Sequence, residues 1–269
     1  MTEVMSQESL VPAAFWSHGS PLMCRKESAS SAYWTKFGKA AKSQGIKGLI
    51  FIGAHWEELG DRIRVAIKTK PEVVQMDMVP RSYWENYPIN IDTGLATRVV
   101  QLLTKAGFPD MFPDGTPPAT VVSLNARYNP TFHVNIGKAL RELRKEGILI
   151  CGTGGAVHNL YRNNWYPVLT KGDNFQEDRT PAEWAVEFEK SVSDVVSNNK
   201  GPQLAGALTR LTESPRYKDA HPTDDPFYPL LVIAGALMQD NVYGNKMAQT
   251  WELQNMCNSQ FVWGDWVTQ

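Results

Sequence analysis

The chain has 269 residues, 42% of them hydrophobic and 20% charged, with a formal net charge of -1 at pH 7. That composition suits a globular fold with a substantial core, and it excludes the strongly basic field that would draw in nucleic acid or an anionic membrane. No apolar run is long enough to span a bilayer, and Cys24, Cys151 and Cys257 are too scattered for a disulfide framework or a CxxC zinc knuckle.

Residues 1 to 9 are polar, lack the basic-then-apolar layout of a signal peptide, and are expected to be loose. A short buried strand is expected over 11 to 16, followed by a loop after Pro21 and a helix over 31 to 43 with Trp34, Phe37 and Ala41 on one face. A second apolar strand follows over 47 to 54. Residues 61 to 68 alternate, with Ile63, Val65 and Ile67 against Arg62, Arg64 and Lys68, which predicts a half-exposed strand. Residues 70 to 88 carry three prolines with Met76, Met78 and Trp84, too irregular for a helix and too apolar for a linker, and read as a loop over a site.

The spacing then predicts a helix over 95 to 106, a Pro/Gly loop over 108 to 118, a strand over 120 to 124, a helix over 131 to 145 and a strand over 148 to 152. A loop over 161 to 179 leads to a helix expected to start with Thr180 as N-cap, Pro181 at its first position and Glu183 completing a capping box, and to run to about 197. Helices are expected over 203 to 211 and 227 to 238, with a loop over 213 to 226 between them. The alternating tail, 245 to 267, reads as two antiparallel edge strands. Strands alternating with helices, with no repeat and no linker, argue for one α/β domain over 1 to 269 with a central mixed sheet flanked by helices.

Three of the five histidines follow predicted strands: His18 in Ser-His-Gly-Ser-Pro, His55 in Ala-His-Trp-Glu, and His158 in Gly-Thr-Gly-Gly-Ala-Val-His-Asn. Open α/β sheets keep their ligands at the carboxyl ends of strands. One such histidine alone reads as a packing or capping residue, but three in the same topological place point to a shared site. Trp16, Trp56, Trp84 and Trp165 lie near these stretches, as an aromatic-lined pocket requires, although core packing accounts for a tryptophan equally well. The Gly-Thr-Gly-Gly run at 152 to 155 matches neither GxGxxG nor a Walker loop, so it is weak evidence for phosphate binding. His133, within a predicted amphipathic helix, reads as structural.

These motifs, together with His221-Pro-Thr-Asp-Asp-Pro-Phe-Tyr-Pro-Leu before the late helix, resemble the class III extradiol ring-cleaving dioxygenases of the LigB-like superfamily, in the family's order and over nearly the whole chain. The DOPA-dioxygenase branch is the nearest likeness. The resemblance implies a LigB-like fold, one divalent metal (Fe(II) first, Zn(II) second), a small catecholic or phenolic substrate and O2. It places His18 and His55 as metal ligands and His158 as the acid/base; Ser20 and His221, in the same motifs, are candidate substrate contacts. Imidazole suits Fe and Zn, and a histidine titrating near neutral pH can take and return a catechol proton.

Two positions depart from the family pattern. Its late motif reads Pro-Thr-Pro-Glu-His-Phe, and the position of that third histidine ligand is Pro226 here; its middle loop has Asp-His-Gly, and Asp114 stands in that histidine's place. Three outcomes follow. Asp225 supplies the third ligand, giving a two-His, one-carboxylate site suited to Fe(II); or His221 swings in to restore three histidines; or metal is lost, leaving metal-free acid/base chemistry by His158 and Asp114, or binding alone. Against these, Asp225 also reads as a helix cap, His221 as a loop hydrogen bond and Asp114 as a turn residue. The expected setting is the cytoplasm, with no nucleic-acid or membrane partner; a homo-oligomer is left open.

Overall fold

The computed structural model describes residues 10–67, 79–85, 91–108, 113–114 and 120–266. The expected loose N-terminus and most of the 70 to 88 loop therefore lie outside the described residues; within 79–85 there is one short turn at Arg81–Tyr83.

In chain order the elements are β1 (Ala13–Ser17), α1 (Ala29–Ser43), β2 (Gly48–Glu58), β3 (Val65–Ala66), α2 (Thr93–Lys105), β4 (Pro113–Asp114), β5 (Thr120–Asn125), α3 (Pro130–Leu140), α4 (Glu142–Lys145) and β6 (Ile148–Gly154). They continue with α5 (Tyr166–Lys171), α6 (Glu183–Asn198), α7 (Gly201–Leu211), α8 (Tyr217–Ala220), α9 (Tyr228–Ala236), β7 (Gly244–Glu252) and β8 (Met256–Trp263). One mixed sheet unites the strands in the order β4-β3-β5-β2-β6-β1-β8-β7. Its centre, β5-β2-β6-β1, is parallel, and β8 joins β1 antiparallel. The central parallel strands therefore point their carboxyl ends the same way, and the site lies there.

Alternation along each strand sorts the core onto two faces. Phe15, Ile50, Ile52 and Ile150 face the cluster that holds α3 and α9, while Ala14, Leu149 and Cys151 face Phe37 of α1. Trp16 belongs to this second cluster, 5.3 Å from Phe37 and 6.0 Å from Phe51 between ring centroids, so it is a core residue and not part of a pocket lining. Helix α9 is buried on every side, as a helix apolar all round must be, because it lies between α3 and β6. Glycines allow both approaches. A Cβ at Gly137 of α3 would strike the Val232 carbonyl, and one at Gly154 of β6 the Pro226 carbonyl. At Gly152 it would come within 2.8 Å of the Pro229 carbonyl. This settles the Gly-Thr-Gly-Gly run: β6 extends through Gly154, and its glycines admit the α9 backbone instead of a phosphate.

Several expectations change under tertiary packing. The strand expected over 61 to 68 shrinks to Val65–Ala66, since Ile63 and Val65 are buried but Arg64 turns its backbone to Ser123. The helix expected over 131 to 145 breaks at Arg141 into α3 and α4. The loop over 161 to 179 contains α5, and that over 213 to 226 contains α8. Helix α6 starts after Ala182, not Thr180, and makes no capping box; the Ala182 N–H is taken by Asn255 Oδ1 at 2.9 Å and the Thr180 carbonyl by Gln254, so contacts with the β7–β8 turn set the helix start. The tail is a hairpin, but only β7 is an edge: β8 is buried throughout, between β1 and β7. Among the described residues no helix is long and apolar enough to cross a membrane.

Candidate metal centre

His18 follows β1 directly, and its N–H still reaches the Gly154 carbonyl at 2.9 Å, in line with the β6 pairing. His158 follows β6 after a tight turn in which Gly155 leaves room for the His158 side chain, and its N–H bonds to the Ala220 carbonyl at 3.0 Å. His55 is different from the expectation. It does not follow a strand but lies inside the longer β2, at φ 60, where the register with β5 jumps from Ile52↔Val122 to Glu57↔Leu124. Residues 53–56 of β2 thus stand opposite Ser123 alone, and Ser123 is engaged by Arg64. A non-glycine residue in the left-handed region at a bulge is uncommon, and such positions gather at functional sites. Here the bulge carries the His55 ring outward.

The three rings meet. Ring centroids are 5.4 Å apart for His18–His55, 6.4 Å for His18–His158 and 5.4 Å for His55–His158. One nitrogen from each lies within 4.8 Å of the other two. Asp225, just before α9, bonds His55 Nδ1 through Oδ2. Burial, then the neighbouring imidazoles His55 and His158, push the His18 pKa down to about 3, against a weaker pull from Asp225. Burial and then His55 push His158 down to about 4. Burial raises the Asp225 carboxyl, but hydrogen bonds from His55 and Thr223 outweigh it and hold the group below the usual range. At physiological pH the site therefore offers neutral imidazoles at His18 and His158 and an ionised carboxylate on His55. Neutral rings are the form that binds metal, and a carboxylate behind a histidine is the usual support of a ligating ring. The donors fit a divalent cation.

The other expected site residues are elsewhere or otherwise engaged. Ser20 Oγ donates to Glu252 Oε1 at 2.7 Å and accepts from the Leu22 N–H, so its hydroxyl is committed to the loop. His221 cannot swing in. It is fully buried among Phe188, Tyr217 and Phe227, with centroids 5.2 to 5.5 Å away, and its Nε2 bonds the Ala156 carbonyl at 3.1 Å. It supports the turn that leads to His158 and does not belong to the centre. Asp225 is not a helix cap, since α9 begins at Tyr228 without a side-chain cap. Asp114 lies on edge strand β4, with β3 and β5 between it and β2; its side chain lies outside the described residues. His133 is structural as expected: its Nε2 accepts from the Asn125 N–H, and its Nδ1 bonds the Asn129 carbonyl. The Asp225–His55 pair was not legible in the sequence, because nothing local links residues 170 positions apart.

No family model matches the chain. It is similar to curated proteins named 4,5-DOPA dioxygenase extradiol: that of Escherichia coli (strain K12) is 25% identical over 252 residues, covering 87% of this chain and 88% of the relative. That of Beta vulgaris is 27% identical over 252 residues, covering 86% and 88%. That of Portulaca grandiflora is 29% identical over 262 residues, covering 87% and 88%. In fold it is similar to the crystal structure of an uncharacterized protein from Escherichia coli K12, with TM-score 0.69 and 21% identity, covering 94% of this chain and 99% of that one.

Proposed function

The chain belongs to the LigB-like extradiol dioxygenase family, and from that premise we propose that it is a metal-dependent enzyme opening the ring of a small catecholic or phenolic aromatic with O2. The observation that carries the reading is the convergence of His18 and His158, at the carboxyl ends of β1 and β6, with His55 from the bulge in β2. In this reading His18 and His55 hold the ion, and Asp225 supplies the carboxylate, standing in for the donor that Pro226 lacks. Bound there, Fe(II) would supply polarisation of a chelating diol and activation of O2. His158, neutral because it is buried, takes the diol proton and returns it to the product. We place this chemistry in the cytoplasm, consistent with three free cysteines.

A second reading has its own support. The three ring nitrogens lie within 4.8 Å of one another, which favours His158 as the third ligand, with Asp225 only orienting His55. A three-histidine set also suits Zn(II).

Elemental analysis of protein purified anaerobically with iron tests both. About one equivalent of metal per chain is expected, as a single-site reading requires, and His18→Ala should lose it; full occupancy in that variant would sink the proposal. His158→Ala should keep the metal and lose turnover if His158 is the base, and lose both if it is a ligand. Asp225→Asn keeps the shape but not the charge, and is expected to weaken metal binding about 10- to 100-fold if the carboxylate only orients His55, the usual cost of removing a ligand's support, and by more if it is itself a ligand. Unchanged affinity in a titration would show that the carboxylate has no part in holding the ion.

A further inference from the structure

Glu252, the last residue of β7, is fully buried. A buried carboxyl is costly unless hydrogen bonded, and this one accepts four bonds. Oε2 takes the Ser20 N–H at 2.9 Å and Asn258 Nδ2 at 2.7 Å. Oε1 takes the Ser20 hydroxyl at 2.7 Å and Asn174 Nδ2 at 2.9 Å. All four donors are uncharged, and two belong to Ser20, two residues after His18. Between them Gly19 sits at φ 68, and a Cβ there would strike Oε2. The loop thus approaches the carboxyl as closely as only glycine allows.

The same hairpin grips the other side of His18. Ser17 Oγ donates to the Ser259 carbonyl at 2.9 Å, and Gln260 Nε2 donates to the Ser17 carbonyl at 2.9 Å. Ser17 Oγ also accepts the Ala156 N–H at 3.0 Å, and Val157, beside His158, pairs with Cys257 of β8. The C-terminal hairpin therefore borders two of the three imidazoles, and Glu252 is its only carboxylate bonded to the His18 loop among the described residues.

We propose that Glu252 is a positioning residue of the metal centre: its buried carboxyl, bonded across Gly19 to Ser20, sets the direction in which His18 presents its ring. The proposal rests on the reading of His18 as a ligand, so one readout is independent of metal. In metal-free, 15N-histidine-labelled full-length protein, Glu252→Gln sets an amide NH2 against N–H donors and should shift or broaden the ring resonances of His18 while those of His133 stay in place. The Kd for Co(II) should rise about 10- to 100-fold, as when a ligand's support is removed. Glu189→Gln is the comparison, since Glu189 accepts from Ser193, Lys246 and Ser259 around the same hairpin without touching the His18 loop; it should move neither readout. Ser20→Ala, which removes one of the four bonds, should give the same change in smaller measure and decides the matter if Glu252→Gln does not fold. Unmoved His18 resonances in a folded Glu252→Gln protein, or an equal change in Glu189→Gln, would overturn the proposal. A wild-type protein that takes up no metal would refute the ligand reading alone, because the resonances still test the positioning.

Discussion

Gly154→Ala is expected to destabilise the protein by about 3 kcal/mol, the upper part of the range for overpacking a core, and to part Asp225 from His55. The added Cβ would meet the Pro226 carbonyl, which already accepts the Gly155 N–H at 2.9 Å. Both sides of that contact are backbone, so no side chain can rotate away. Helix α9 cannot retreat either, because Gly137 and Gly235 bring it against the α3 backbone on its other side. The strain falls on residues 225–227, which carry the carboxylate of the site. At about 2–4 °C per kcal/mol for a chain of this size, the thermal midpoint should drop by roughly 6–12 °C. Gly38→Ala is the control: nothing lies within 4 Å of its Cβ position in α1, and replacing a mid-helix glycine is expected to be neutral or stabilising by up to about 1 kcal/mol. Equal midpoints for the two variants would refute the packing account.

The second large effect is loss of stability in acid. Burial pushes His221 down to about 3 and His133 down to about 4, each against an opposing hydrogen bond to a backbone carbonyl. Unfolded, both rings titrate near the ordinary value of 6.5. Between that value and the folded ones the unfolded chain binds more protons, so stability is full above about pH 6.5 and falls as pH falls. Each ring contributes up to about 1.4 kcal/mol per pH unit. Together, from pH 6 to pH 4, they remove on the order of 5 kcal/mol, comparable with the whole stability of many domains. At His133 the Nε2 lone pair that accepts the Asn125 N–H favours the neutral ring in the same direction as burial. Urea midpoints of the metal-free protein, measured from pH 7.5 to 4.5, should show at least this slope, because His18 and His158, held low in the same way, add to it when no metal is bound. A slope below about 1 kcal/mol per pH unit would mean that these rings gain a proton while still folded.

Much of the local structure was legible in the chain. The apolar runs that end in histidine located β1, β2 and β6 because a buried parallel strand is continuously apolar. Helical periodicity located α2, and the apolar stretches over 203 to 211 and 227 to 238 located α7 and α9, within a few residues of their ends. The ordered motifs carried the family likeness, and the comparisons agree with it. The expected start of α6 failed because a capping motif is only a local preference, and Asn255 and Gln254 bind the same backbone from the hairpin. The setting of His221 was not legible because sequence gives no measure of burial, and this ring lies inside an aromatic cage.

By itself, then, the sequence determined the α/β class, the order of the longer strands and helices and the three histidines of the site, since these depend on short-range pattern and residue chemistry. Tertiary structure alone decided the rest. Strand pairing put β8 inside the sheet, and the bulge in β2 turned His55 toward His18 and His158. The close approach of α9 to β6 made the glycine run a packing surface, and contacts spanning 170 and 232 residues tied Asp225 to His55 and Glu252 to Ser20. The physical reason is the same in each case. Periodicity records which face of an element is apolar, but which partner that face meets depends on strand order and on how closely the backbones can approach.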